Sequence, residues 1–376
     1  MAPKAIGASL YDYLNWRGDL SYDQVPVGEA DNLIFSLISY IDLSGVVGEE
    51  FPKSRPPVLL NVTKKYLKEQ QGTIKNIGLM ISREVIALLV KAAKTPRFGL
   101  TRPVCHVNRI CGEQQKQFSA TSFLLPTGDV FVTFRGTDDS LVGWKENLNM
   151  SFMHPVPAQT EALAYLESIA SRTSGKIYVG GHSKGGNLAV YSAVKASRAT
   201  KERIIAVYNN DGPGFNREFI KGGDYLEMRD RIHTYVPQSS IVGRLLEHEE
   251  RYKIVKSRSD GLLQHDGLTW EIKGGGFIFL DDSDAESTQK AISIKEWLDD
   301  LSTEERMKFV DALYDSIVAT DAKTLSDLNT DKFKLLKMWN TMAPEAKVNF
   351  KKLMGIILGF GQKAPKQEKT AEKTYG

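Results

Sequence analysis

The chain has 376 residues, 41% of them hydrophobic, so it is long enough to bury the core of an enzyme. Its 49 Lys and Arg residues nearly balance its 46 Asp and Glu residues, giving a net charge of +3. The chain therefore lacks the strong excess of basic residues that is typical of nucleic-acid-binding proteins. No apolar stretch reaches the length of about 20 residues that a membrane span needs. The N-terminus lacks the apolar segment of a signal peptide, which predicts a cytoplasmic protein.

Two segments near the N-terminus have the apolar spacing of amphipathic helices. The spacing predicts these helices over residues 30–41 and 76–93. We therefore expect residues 1–100 to form a helical cap region that packs on the rest of the protein. The two cysteines that follow, Cys105 and Cys111, lack the spacing of a zinc site and are interpreted as reduced structural thiols.

The middle of the chain has the pattern of an α/β core. Two β-rich runs are joined by a turn at Thr127 and Gly128, and the second run ends near Arg135. Beyond them, short apolar strands alternate with amphipathic helices. This alternation is typical of a parallel sheet that is covered by helices on both faces, so we predict an α/β core over residues 101–285.

The C-terminal part becomes helical again, with a capping box between Ser302 and Glu305. We predict a helical region over residues 286–361 and a disordered, highly charged tail over residues 362–376. The apolar run 350–360 is too short to span a membrane. It either packs against the protein's own core or, with the lysines before it, makes a peripheral contact with an anionic membrane surface.

A possible nucleophile lies between a strand and a helix. The strand KIYVG runs into Gly181-His182-Ser183-Lys184-Gly185 and then directly into an amphipathic helix. A G-x-S-x-G sequence in this context predicts a nucleophile elbow, in which a strained turn exposes a serine at the N-terminus of a helix. The alternative is an ordinary glycine-rich turn.

A second motif, FRGTDDSLVGWKENL, precedes the elbow at residues 134–148. Together the two motifs resemble those of the class 3 lipase family, and are most similar to an uncharacterised intracellular bacterial branch of it. The resemblance covers about residues 117–270. It implies an α/β-hydrolase fold with a mostly parallel central sheet and helices on both faces, to which the N- and C-terminal helical regions are additions.

The resemblance also implies an oxyanion hole and a lid. Thr137 would donate to the oxyanion with its backbone N–H and hydroxyl, and Lys184 would donate with its backbone N–H. Residues 138–152 occupy the place of the family's short helical lid, although an ordinary surface helix that packs Trp144 into the core fits equally well. The expected lid or substrate contacts are Leu141, Val142, Trp144 and Leu148.

The candidate base is His265. A serine hydroxyl needs a base to accept its proton, and in α/β-hydrolases the base comes last, on a loop after the final strands. His265 has that place in the sequence, while His182 belongs to the elbow and is expected to point away from Ser183. The alternative for His265 is a solvated loop histidine.

The third member of the triad departs from the family pattern, because Ser240 occupies the position of the family's aspartate. A serine cannot supply the negative charge that stabilises an imidazolium. Asp211, after the preceding strand, is the best substitute, with Ser240 supporting His265 indirectly through another group, or as the alternative third member. Asp211 is otherwise interpreted as a turn residue before Gly and Pro.

These residues predict a serine esterase that cleaves a carboxylic ester, with a lipid acyl ester as the expected substrate, through an acyl-enzyme. No metal or nucleotide motif is present, so no cofactor is expected, and no nucleic-acid partner. Two alternatives stay open. A catalytically weakened hydrolase would bind a lipid or a protein, and an acyltransferase would pass the acyl group to an acceptor other than water.

Overall fold

The computed structural model describes residues 7–70, 82–250, 252–324, 327–328 and 331–358. The strands of this part of the chain are β1 (Arg102–Cys111), β2 (Lys116–Leu124), β3 (Val130–Phe134), β4 (Ile177–His182), β5 (Ile204–Asn210), β6 (Ile232–Pro237), β7 (Lys253–Val255), β8 (Ile272–Lys273), β9 (Gly276–Phe277) and β10 (Phe279–Leu280). Within it, eight strands form one sheet in the order β1-β2-β3-β4-β5-β6-β7-β10, and β8 pairs with β9.

The centre of the sheet is parallel. Strands β3 to β7 run in one direction, whereas β1 pairs antiparallel with β2, β2 with β3, and β10 with β7. Every residue of β3 and β4 is buried, because helices cover both faces of the sheet and leave neither side of these strands to water. The predicted α/β-hydrolase fold is confirmed by this mostly parallel sheet.

The N-terminal helices cover one face of the sheet. Phe35 stacks on Phe131 of β3, with ring centroids 4.7 Å apart. The helix predicted over residues 30–41 is present, and of the helix predicted over 76–93 the part from Val85 is present, while residues 76–81 lie outside the described residues. These helices are α1 (Leu10–Arg17), α2 (Glu29–Ile38), α3 (Leu59–Gln70), α4 (Val85–Ala93) and α5 (Pro96–Gly99).

Strand β1 is not indicated by the sequence. Its register shifts between Val104 and Val107, and Cys105 has a φ of 53°, so the alternation of apolar and polar residues is broken. Cys105 and Cys111 both lie in this strand as free thiols. Burial raises the pKa of the Cys105 thiol to about 11, which fits a structural cysteine rather than a nucleophile.

A second set of helices covers the opposite face of the sheet. The apolar side chains Leu166 and Leu188 pack there with Val179 of β4 in one buried cluster. The set comprises α6 (Leu141–Asn149), α7 (Pro157–Ala170), α8 (Lys184–Lys195), α9 (Arg198–Arg203), α10 (Arg217–Lys221) and α11 (Gly223–Met228).

The C-terminal helices form their own apolar cluster around Trp297 and Phe309, whose ring centroids are 5.6 Å apart. The capping box predicted between Ser302 and Glu305 is present, with Ser302 N donating to Glu305 Oε2 at 2.8 Å. Among the described residues no helix is both long and apolar enough to cross a bilayer. These helices are α12 (Ala285–Asp299), α13 (Thr303–Val318), α14 (Lys332–Thr341) and α15 (Pro344–Leu358).

Of the apolar run predicted over 350–360, residues 350–358 belong to α15, where Phe350, Leu353 and Ile356 pack against the C-terminal cluster. This packing is the first of the two interpretations given above. Residues 359–360 and the predicted tail 362–376 lie outside the described residues. The division of the chain at residues 100 and 285 stays a prediction.

Candidate active site

Ser183 lies in a strained turn between β4 and α8. Its backbone φ is 58°, in the left-handed region that non-glycine residues seldom adopt. The turn is tight enough that a Cβ on Gly181 would collide with the backbone of Gly185, and a Cβ on Gly185 with the carbonyl oxygen of Phe134. Ser183 therefore occupies a tight, strained turn from strand to helix, and its role as a nucleophile stays a prediction.

The side chain of Asp211 reaches His265. Asp211 directly follows β5, is fully buried, and its Oδ2 lies 2.6 Å from Nδ1 of His265. Its φ of 54° is tolerated because aspartate enters the left-handed region more readily than most residues. His265 ends a short helical turn that comes after β7. The structure thus brings together the acid and the base that the sequence suggests.

Ser240 contacts Asp211 and not His265. Its hydroxyl donates to Asp211 Oδ1 at 2.6 Å, and the backbone N–H of Gly243 donates to the same oxygen at 3.1 Å. Ser240 thus reaches His265 only through the carboxylate of Asp211, and its role stays a prediction. With both oxygens bonded, the buried carboxylate has a fixed orientation toward the imidazole.

Ser183 and His265 line the same cavity. Neither Ser183 Oγ nor His265 Nε2 has a hydrogen-bond partner among the described residues, so both groups are free to meet a ligand. In enzymes without bound substrate, the hydrogen bond between nucleophile and base is often long, and it tightens when substrate binds.

His182 has a role that sequence reasoning missed. Its Nε2 lies 2.7 Å from the carbonyl oxygen of His265, which can only accept, so Nε2 carries a proton. Its Nδ1 lies 3.0 Å from the hydroxyl of Tyr40. Burial, together with nearby His265, holds the pKa of His182 well below its usual value. A neutral His182 therefore supports the loop that carries the candidate base.

The ends of β4 and β5 are held in place by Asn210, the neighbour of Asp211. Its side-chain amide donates to the carbonyl oxygen of Gly181 at 2.9 Å and exchanges two hydrogen bonds with Asn32 of α2. Its backbone carbonyl accepts from Ser183 N at 2.8 Å. One buried residue thus joins the elbow, the strand before Asp211 and the N-terminal layer.

The two expected oxyanion donors lie beside Ser183. Thr137 lines the cavity, and its hydroxyl oxygen accepts from Asn147 Nδ2 at 2.6 Å, which leaves the hydroxyl proton free to donate. Lys184 is the first residue of α8, where an α-helix leaves the backbone N–H without a partner inside the helix.

The side chain of Lys184 turns away from the cavity into a buried network. Its ammonium lies 2.9 Å from Glu146 Oε2 and donates to both oxygens of Gln117, at 2.6 Å and 2.7 Å. Glu146 also accepts backbone N–H groups of Gln117 and Ala158. The network fastens the elbow helix α8 to α6, to β2 and to the start of α7.

The expected lid contacts divide into two groups. Trp144 and Leu148 of α6 line the cavity, whereas Leu141 is buried outside its wall, and a contact of Leu141 with substrate stays a prediction. A β-bridge between Ser140 and Thr324 joins the C-terminal region to this end of α6. Val142, expected with these residues, is likewise absent from the wall.

The cavity has a volume of about 390 Å³ and a mostly apolar wall, within the usual range for small-molecule sites. The helix α6 forms part of it but is not free on its outer side. Lys145 on α6 forms an ion pair with Asp311 on α13 at 2.8 Å, and Arg306 on α13 donates to the carbonyl oxygen of Ser151 at 2.8 Å. The C-terminal helices therefore cover the predicted lid helix.

A protein-family model described as Mbeg1-like matches residues 92–315. No curated protein matches the chain. Among solved structures, the Rhizomucor miehei lipase in its propeptide complex is 13% identical, over 45% of this chain and 66% of the lipase, with a TM-score of 0.33. M37 lipase is 15% identical, over 56% of this chain and 68% of its own, with a TM-score of 0.33. Because the family model spans more than half of the chain, the protein belongs to the Mbeg1-like family.

Proposed function

We propose that the protein is a serine hydrolase that cleaves carboxylic esters, with an acyl lipid as the substrate class, through an acyl-enzyme. One observation carries the proposal. The base candidate His265 is bonded at 2.6 Å to the buried carboxylate of Asp211, and it shares a cavity with Ser183 at the strained elbow. The resemblance of the sequence motifs to those of class 3 lipases supports it further.

In the proposed reaction, Ser183 Oγ attacks the ester carbonyl carbon while His265 Nε2 takes the hydroxyl proton. The carbonyl oxygen becomes an oxyanion, stabilised by the hydroxyl and N–H of Thr137 and by the N–H of Lys184. His265 then passes the proton to the leaving alkoxide, which departs as an alcohol. Water, activated by His265, hydrolyses the acyl-enzyme and restores Ser183.

Asp211 would keep the proton of His265 on Nδ1 and stabilise the imidazolium that forms during both steps. Because a carboxylate reaches His265 despite the serine at position 240, the bonding favours an enzyme over a catalytically weakened binding module. Transfer of the acyl group to another acceptor would use the same acyl-enzyme. The intracellular bacterial branch, the cytoplasmic location and a peripheral membrane contact stay predictions.

The test is labelling of the full chain by a small alkyl fluorophosphonate, which phosphonylates an activated serine. We expect the wild type to label, and Ser183→Ala to lose labelling entirely. His265→Ala and Asp211→Asn should each slow labelling by about 10⁴-fold, the loss that such substitutions cause in other triads. Ser171→Ala, at an exposed serine outside the cavity wall, is the matched control and should label like the wild type. A folded wild type that does not label would contradict the proposal.

A further inference from the structure

The C-terminal helices supply one side of the cavity that contains Ser183. Trp297 on α12, Phe309 on α13, and Leu353 and Ile357 on α15 line it. The opposite side comes from α6 and from the loops that follow the strands. The helices α12, α13 and α15, which follow the last strand of the sheet in the chain, thus enclose part of the space in front of Ser183.

The charged groups in the cavity wall are already bonded to protein. Asp138 accepts from Arg135 at 3.0 Å and from the backbone N–H of Ser140 at 2.9 Å. The ammonium of Lys184 is taken up by Glu146 and Gln117, as described above. Apart from the candidate base His265, the acidic and basic residues of the wall in the described part of the chain are these two and one arginine.

That arginine, Arg306, also has protein partners, including an ion pair between its Nη2 and Asp299 Oδ1 at 3.9 Å. Its Nε donates to the carbonyl oxygens of Leu298 and Leu301, at 2.9 Å and 3.1 Å, and its Nη1 donates to that of Ser151 at 2.8 Å. Through these bonds the guanidinium connects α13 to the C-terminal ends of α12 and α6. A charged substrate group in the cavity would leave water for a mostly apolar wall whose charged side chains already have protein partners, so its burial there would be unfavourable.

Building on the proposed function, we infer that this cavity holds the acyl group of the substrate as an uncharged aliphatic chain, and that α15 limits the length of that chain. Leu353 and Ile357 are the wall residues of α15. Each methylene group that moves from water into contact with the apolar wall tightens binding by about fourfold. We therefore expect kcat/KM to rise with the length of the acyl chain until the chain meets these two side chains.

The test compares kcat/KM for nitrophenyl esters from acetyl to dodecanoyl, in the full chain and in variants of α15. Leu353→Trp enlarges a wall residue and should lower the ratio of octanoyl to acetyl activity at least about tenfold. Leu353→Ala should move the optimum to longer chains, which keeps the test decisive if the tryptophan variant does not fold. Val348→Trp is the control, because Val348 lies on the same helix with 67% of its surface exposed and should leave the ratio unchanged.

A succinyl ester tests whether the cavity disfavours a charged acyl group. It has the length of a butyryl ester but ends in a carboxylate, and we expect it to react at least about 100-fold more slowly. Equal rates for the two esters, or a chain-length profile that both Leu353 variants leave unchanged, would overturn the inference alone, since small fluorophosphonates would still label Ser183. A folded wild type that neither labels nor hydrolyses any ester overturns the proposed function, and the inference with it.

Discussion

At the scale of single residues, the buried carboxylate of Asp211 joins His265 to Ser240, with one oxygen bonded to each. Asp211 could be suggested because the carboxyl ends of neighbouring parallel strands meet at one edge of the sheet, where the loop of His265 also ends. The bond from Ser240 to Asp211 could not be predicted, because a sequence motif gives the position of a residue and not the direction of its hydroxyl. The hydrogen bond from His182 to the carbonyl oxygen of His265 could not be predicted for the same reason.

The contact between Ser240 and Asp211 leads to a graded expectation. Ser240→Ala removes one hydrogen bond to a buried carboxylate, a bond of about 1.5–3 kcal/mol, so fluorophosphonate labelling should slow by about 10- to 100-fold. Asp211→Asn should cost far more, about 10⁴-fold. The measurement is the second-order rate of labelling, with the neighbouring Ser239→Ala as control. Equal losses for Ser240→Ala and Asp211→Asn would make Ser240 as necessary as the carboxylate.

At the scale of elements, the helices and strands of the parallel core follow directly from their patterns. The strand predicted from KIYVG and the helix that follows it occur as β4 and α8, because buried parallel strands are continuous apolar runs. Strand β1 could not be predicted, because its bulge at Cys105 interrupts the alternation of apolar and polar residues that indicates a strand. The network around Lys184 was also missed, as its members are far apart in sequence.

That network should be a major source of stability for the elbow helix. Glu146→Ala leaves the ammonium of Lys184 buried without its carboxylate, so the free energy of unfolding should fall by about 3–5 kcal/mol. The double variant Glu146→Met with Lys184→Met should lose less, because it leaves no unpaired charge. Urea unfolding measures both. Glu202→Gln, which breaks an ion pair on the surface, is the control, and an equally small effect of Glu146→Ala would refute this account.

At the scale of the whole molecule, the sequence predicted the sheet and its two helical layers but not where the C-terminal helices lie. Hydrophobic periodicity shows that a helix such as α13 has an apolar face, yet it does not show what covers that face. The residues of α12, α13 and α15 that line the cavity therefore looked like ordinary helix cores in the sequence. Their relation to Ser183 appears only when the chain is folded.

The buried His182 and the half-buried His233 make the stability of the whole protein depend on pH. Burial lowers the pKa of both histidines. Below the unfolded pKa of about 6.5, the unfolded chain binds protons that the folded protein does not, so stability falls as pH falls. Each such histidine contributes a slope of up to about 1.4 kcal/mol per pH unit until its folded pKa is reached.

Thermal unfolding between pH 7.5 and pH 5.5 would measure this dependence. We expect the melting temperature to drop over that interval in the wild type, and to drop less in His182→Gln, whose amide can still donate to the carbonyl oxygen of His265. Identical pH profiles for the two proteins would show that His182 protonates equally well in the folded and the unfolded state.

The position of α15 at the end of the described chain has a consequence for synthesis on the ribosome. Chains emerge N-terminus first at about 5–20 residues per second, so Ser183, Asp211 and His265 leave the ribosome several seconds before Leu353 does. During that interval the sheet can form while the apolar wall in front of the elbow still faces water. We therefore expect nascent chains that stop before residue 344 to bind chaperones or aggregate more readily than the finished protein.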